Sequence, residues 1–267
     1  MSRLHDTLDQ LRSKNRKALI TFITAGDPNP EATVPALLGL VAGGADVLEL
    51  GLPFSDPEAD GPAIQASSQR ALAHQVTLRQ VLSMVRDFRG HDDKTPVVLM
   101  GYLNPVLTMG VTAFAELARD SGVDGLIMVN LPPEEAEEIA PSLKEHGIDL
   151  IYLVAPTTTP QRVAFIAERA QGFVYYVALK GITGANHIEV ESIAEHVTAL
   201  KATTNLPVMV GFGIKDGRSA QAAARCADGV VVGSVLVSIM GASISTESIP
   251  QLLSQCVNEI REALDSG

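Results

Sequence analysis

The chain has 267 residues, of which 46% are hydrophobic and 19% charged, and its net charge is −11. That length fits a single closed α/β barrel, so one domain spanning residues 1–267 is expected. The negative field repels nucleic acid and anionic lipid, and no apolar run reaches the roughly 18 residues of a membrane-spanning helix; no nucleic acid and no membrane partner is expected.

The charged, helix-periodic N-terminus MSRLHDTLDQLRSKNRK lacks the apolar core of a secretory signal, which predicts a cytoplasmic location. Within it, Leu4–Leu11 reads as an extra helix covering the N-terminal end of the fold. Eight short apolar runs then recur: ALITFIT (18–24), DVLELGL (46–52), PVVLMGY (96–102), GLIMVN (125–130), DLIYLVA (149–155), FVYYVAL (173–179), PVMVG (207–211) and GVVVG (229–233). They are near-continuous rather than alternating, the pattern of strands covered on both faces in a parallel sheet.

Helix-periodic segments lie between them: Glu31–Ala42, Ile64–Ala73, Leu78–Phe88, Thr112–Asp120, Glu134–His146, Gln161–Ala170, Ser192–Ala202, Arg218–Cys226 and Ile249–Leu264. Pro or a carboxylate opens several of these, and Gly43, Gly122, Gly147 and Gly172 follow their ends. A second echo runs a helix end through a small motif into a strand: Gly44-Ala45-Asp46, Gly122-Val123-Asp124, Gly147-Ile148-Asp149 and Ala227-Asp228-Gly229. Eight βα units without a linker predict an α/β fold, a single (β/α)8 TIM barrel with an extra N-terminal helix. Cys226 and Cys256 lack CxxC spacing and are expected to be reduced thiols. The six histidines form no metal-binding pair, so no metal site is expected.

In such barrels the chemistry sits at the C-terminal ends of the strands. Strand alternation turns Val47, Glu49 and Gly51 one way and Leu48 and Leu50 the other. The leucines suit the strand–helix layer, so Glu49 projects into the barrel interior. Desolvation there favours its protonated form and makes it able to hold and pass a proton. Asp56, Glu58 and Asp60 follow in turn sequences, where ordinary loop polarity, or capping of the next helix by Asp60, competes with chemistry.

GFGIKDG (211–217) joins the seventh strand to a helix, and GSVLVSIM (233–240) leaves the eighth as another helix start. Glycines let backbone approach an anion, and helix N-termini offer free N–H groups, so these turns form a candidate phosphate site. Gly181–Gly184, after the sixth strand, adds donors from the side. At the strand ends Phe22, Met100, Ile127, Val129, Leu153, Tyr175 and Phe212 are candidate walls of an apolar pocket.

Taken in order, FITAGDP (22–28), LELGLPFSDPEADGPAIQ (48–65), MGYLNPV (100–106), NLPPEE (130–135), YYVALKGITG (175–184), GFGI (211–214) and GS (233–234) resemble the alpha subunit of tryptophan synthase along essentially the whole chain. The resemblance implies retro-aldol cleavage of indole-3-glycerol phosphate to indole and glyceraldehyde 3-phosphate. It implies Glu49 as general acid/base and Asp60 as the carboxylate facing the indole N–H. Phe22, Met100, Ile127, Val129, Leu153, Tyr175, Thr183 and Phe212 fall at its substrate contacts, and Gly184, Gly213, Gly233 and Ser234 at its phosphate contacts. The implied partner is a beta subunit in an αββα complex. Pyridoxal phosphate (PLP) belongs to that partner, and no cofactor is expected in this chain. Pro53 and Asp56 look like interface and signalling positions on a mobile loop, and Leu179–Asn186 like a second such loop. Two residues depart from the family pattern, Asn130 in place of Asp and Ala178 in place of Ser, and they bear on coupling to the partner. Rival readings are a Schiff-base aldolase using Lys180, and a non-catalytic activator of the beta subunit.

Overall fold

Each of the eight apolar runs pairs in parallel with its sequence neighbour, and the last returns to the first to close the sheet. The computed structural model describes residues 2–178, 187–211 and 213–267. Its strands are β1 (Ala18–Thr24), β2 (Val47–Gly51), β3 (Val97–Gly101), β4 (Gly125–Met128), β5 (Asp149–Val154), β6 (Val174–Val177), β7 (Val208–Gly211) and β8 (Gly229–Val232). Helices run between and around them: α1 (Arg3–Ser13), α2 (Thr33–Ala42), α3 (Pro62–Ala73), α4 (Leu78–Arg89), α5 (Leu103–Met109), α6 (Val111–Ser121), α7 (Ala140–Glu145), α8 (Pro160–Ala167), α9 (His187–Lys201), α10 (Gly217–Ala224), α11 (Ser234–Ala242) and α12 (Ile249–Asp265). This is the TIM barrel expected, with α1 ahead of β1. Among the described residues no helix is long and apolar enough to cross a membrane.

Two cores follow from the alternation. Leu48 and Leu50 belong to the layer between strands and helices, whereas Ile20, Val47, Val98, Ile127, Ile151 and Val231 fill the barrel interior. Leu4, Leu8 and Leu11, spaced along one face of α1, are buried in that same interior cluster and close the base. Burying each such aliphatic side chain contributes roughly 1.5–3 kcal/mol.

The recurring aspartates are tied to the base as well. Asp46, Asp124 and Asp228 accept hydrogen bonds at 2.8–2.9 Å from the N–H groups of Leu19, Val97 and Val208, each the leading or near-leading residue of the preceding strand. Cations complete the pattern: Arg16 and Arg261 on Asp46, Arg3 and Arg89 on Asp124, and Lys201 on Asp228. Asp149 differs, taking Ser2, the N-cap of α1, at 3.4 Å and His5 of α1 at 3.5 Å instead of a strand N–H.

Three local departures have physical causes. The segment Glu134–His146, expected as one helix, divides into a 3-10 turn over Pro133–Glu138 and the short α7. Pro141 cannot donate to an earlier turn, so a new helix starts around it. Leu103–Met109, left outside the helix-periodic segments, is helical although it contains Pro105, because a first-turn proline removes an N–H that has no partner there anyway. At the end of α2 the left-handed residue is Gly44, with φ +99°, one position beyond the expected Gly43.

At the other end of the barrel, Asp27 follows β1 with its side chain fully buried. Arg70 of α3 grips it through two bonds of 2.6 and 2.9 Å. Burial pushes the Asp27 carboxyl up, and the guanidinium pulls against that.

Candidate active site

Glu49 sits in the middle of β2, opposite Phe22 of β1 and Val98 of β3, and is 1% exposed. Its Oε2 has no hydrogen-bond partner among the described residues. Burial first, and the charge of Asp60 second, push its carboxyl up to about 8. At neutral pH it therefore holds its proton and can give it away, the property a general acid needs.

Asp60 lies on the loop that carries the chain from β2 to α3. Capping of α3 by its side chain, the bland alternative, is absent: Gly61 is the N-cap and no side chain bonds there. Instead, Asp60 Oδ2 accepts the Tyr102 hydroxyl proton at 3.2 Å. Burial pushes the Asp60 carboxyl up while that bond pulls it down. Tyr102 Oη accepts the Ala59 N–H at 3.0 Å, and Gln65 Nε2 donates to the Asp60 carbonyl at 2.9 Å.

Phe22, Asp60, Met100 and Val129 line one cleft together with Tyr102. Ile127, Leu153 and Tyr175 belong to the interior cluster below it, Leu153 partly buried. The Tyr175 phenol is pushed well up by burial, and next by Glu49 and Asp60, which puts both acids within its electrostatic reach. Tyr102 had no role assigned from sequence. The available signal was parity, because it stands two residues beyond the inward-facing Met100 at the same strand end.

Of the candidate anion site, Gly213 follows β7 with φ +50°, Gly233 is the N-cap of α11, and Ser234 is its first residue. A Cβ on Gly233 would lie 3.3 Å from Phe22 Cβ, so this helix start abuts the apolar wall directly. Thr183, Gly184, Phe212 and Lys180 lie outside the described residues. Pro53 and Asp56 are on the β2–α3 loop; Asp56 is exposed and its Oδ2 accepts the Ser55 hydroxyl at 2.6 Å. Asn130 Oδ1 accepts the Leu103 N–H at 2.8 Å, satisfying a free donor at the start of α5. The Ala178 N–H donates to the Gly211 carbonyl at 3.2 Å.

The family model described as tryptophan synthase alpha chain matches residues 8–264. The chain belongs to that family. A tryptophan synthase alpha chain from Thioalkalivibrio sulfidiphilus is 52% identical over 266 residues, covering 99% of this chain and 100% of the relative. The crystal structure of tryptophan synthase subunit alpha from Legionella pneumophila str. Paris superposes with a TM-score of 0.93 at 44% identity, each chain covered completely. A chain of the aminoacrylate-bound form of tryptophan synthase from M. tuberculosis gives a TM-score of 0.87 at 37% identity, with 99% of this chain and 100% of that one covered. As a tryptophan synthase alpha chain, the protein is a lyase of tryptophan biosynthesis.

Proposed function

We propose that Glu49 and Asp60 carry the cleavage of indole-3-glycerol phosphate to indole and D-glyceraldehyde 3-phosphate. One observation carries the assignment: a buried acid with an oxygen unpartnered among the described residues, its carboxyl lifted to about 8, lies within electrostatic reach of a second acid, Asp60, that lines the cleft. Protonated Glu49 delivers its proton to indole C3, and positive charge develops on the ring nitrogen opposite Asp60. Glu49, now ionised, takes the proton of the hydroxyl on the adjacent chain carbon. The C–C bond breaks, its electron pair returns to the ring, and indole and an aldehyde result.

Phe22, Met100, Ile127, Val129, Leu153, Tyr175, Thr183 and Phe212 form the substrate pocket in this reading, and Gly184, Gly213, Gly233 and Ser234 hold the phosphate. The start of α11 supports it, since a free helix N-terminus beside Phe22 offers N–H donors to an anion without needing lysine or arginine. The test is indole release. Glu49→Gln, which keeps the shape and removes the transferable proton, abolishes turnover while substrate binding persists; wild-type-like release by this variant would refute the assignment.

The chain works in the cytoplasm with a beta subunit in an αββα assembly, which receives the indole. PLP belongs to that partner, and this chain uses no cofactor of its own. Pro53 and Asp56, on an exposed loop directly continuous with Asp60, support a coupling role for that segment. Asp56→Ala loses the stimulation that a beta subunit gives to indole release and keeps the unstimulated rate.

A further inference from the structure

We propose that Tyr102 is the positioning residue that sets which of the two acids is charged, by gripping the β2–α3 loop at both ends and donating its hydroxyl proton to Asp60. The inference rests on the roles given above to Glu49 and Asp60. Near the start of the loop, the Tyr102 ring stacks on Phe54 with centroids 4.8 Å apart and planes 19° from parallel. At its end, Tyr102 Oη accepts from Ala59 N–H and donates to Asp60 Oδ2. One side chain therefore fixes the loop before and after its exposed middle.

The same hydroxyl separates the two carboxyls chemically. A hydrogen bond to an ionised carboxylate favours the ionised form, and burial without one favours the neutral form. Asp60 has the donor; Glu49 Oε2 has no partner among the described residues. With Oδ2 held by the phenol, Oδ1 is left to meet the ring N–H of the substrate. Among the described residues, the titratable groups within electrostatic reach of Asp60 are Glu49 from β2, Tyr175 from β6 and Tyr102 itself, with Glu58 of the loop acting on Tyr102. Gln65 of α3 reaches only the Asp60 carbonyl. Of these, Tyr102 alone donates to the carboxylate.

Tyr102→Phe keeps the ring and its stack on Phe54 and removes both hydroxyl bonds. The expected result is a roughly 10- to 100-fold fall in kcat/KM for indole release, the size of one hydrogen bond to a charged group. The acidic limb of its pH profile moves upward, because Asp60 without its donor ionises later. In an Asp60→Asn background the same change moves no limb. Fluorotyrosine placed at position 102 alone, a stronger donor that preserves the fold, moves the acidic limb downward. A Tyr102→Phe limb that stays in place, or an equal loss in the Asp60→Asn background, overturns the proposal, since a purely structural residue would behave that way. Glu49→Gln measured alongside separates the two readings: active Glu49→Gln removes the underlying assignment, whereas inactive Glu49→Gln with an unmoved Tyr102→Phe limb removes only this inference.

Discussion

Burial, and next the charge of Asp60, hold the proton on Glu49, although one acid stands in the middle of β2 and the other on the loop that leaves it. Burial pushes the Asp60 carboxyl up in its turn, and the Tyr102 hydroxyl pulls it down.

Stability should therefore depend on pH through Glu49. Its carboxyl rises from an ordinary 4.5 to about 8 in the folded chain, so the folded state binds more protons than the unfolded one between these values. The sign follows: the contribution is fully present below about 4.5 and is lost as pH climbs through about 8. Glu49→Gln does not titrate. In denaturant melts it should gain on the wild type across this window by up to about 1.4 kcal/mol per pH unit. A constant difference between the two would contradict the assignment of the raised group.

Asp60→Asn should slow indole release by roughly 10²-fold or more, since it removes the charge opposite the developing cation. It should also lower the Glu49 carboxyl, because the repelling charge is gone. The kcat/KM profile reads both effects at once, with a reduced plateau and a displaced Glu49 limb. Glu58→Ala, on the exposed part of the same loop, should leave the rate within about twofold; its small influence on Tyr102 is screened by solvent.

Arg70→Met should cost about 3 kcal/mol in chemical denaturation, the lower end for a broken buried pair, because it strands a fully buried Asp27 carboxylate while Arg70 itself is a third exposed. Adding Asp27→Asn should recover part of that loss. An additive double mutant would show that the pair does not act as a unit.

Asn130→Ala should cost about 0.5–2 kcal/mol through the loss of the acceptor on Leu103 N–H. Asn130→Asp keeps an acceptor in place and should restore stability in thermal melts. Because α5 follows directly on Tyr102, the alanine variant should also reduce indole release.

Alternation within β2 was enough to separate Glu49 from Leu48 and Leu50, because inward and outward positions of a buried strand differ in every second residue. Barrel closure was legible for a similar reason: eight short apolar runs, each followed by a helix-periodic segment, leave few other arrangements. Asp60 was not separable on sequence grounds from a helix cap, and it was the bond to Tyr102, formed across a long stretch of chain, that distinguished it. Tyr102 itself sat unassigned in a motif, since a tyrosine at a strand end looks the same whether it packs or donates. Local rules also failed at Pro141 and Pro105, where one residue type breaks a helix in one setting and opens a helix in the other. The difference lies in what surrounds each proline, including the Asn130 acceptor that no local pattern announces.

Asp46 at the base is held by Arg16, just after the first helix, and by Arg261 of the last. A chain emerging from the ribosome meets these partners at opposite ends of its synthesis. Until β8 is made, β1 lacks its closing neighbour, and until α12 follows it, Asp46 still lacks one of its cations. The floor of the barrel thus fastens late in synthesis, after the strands above it can already meet.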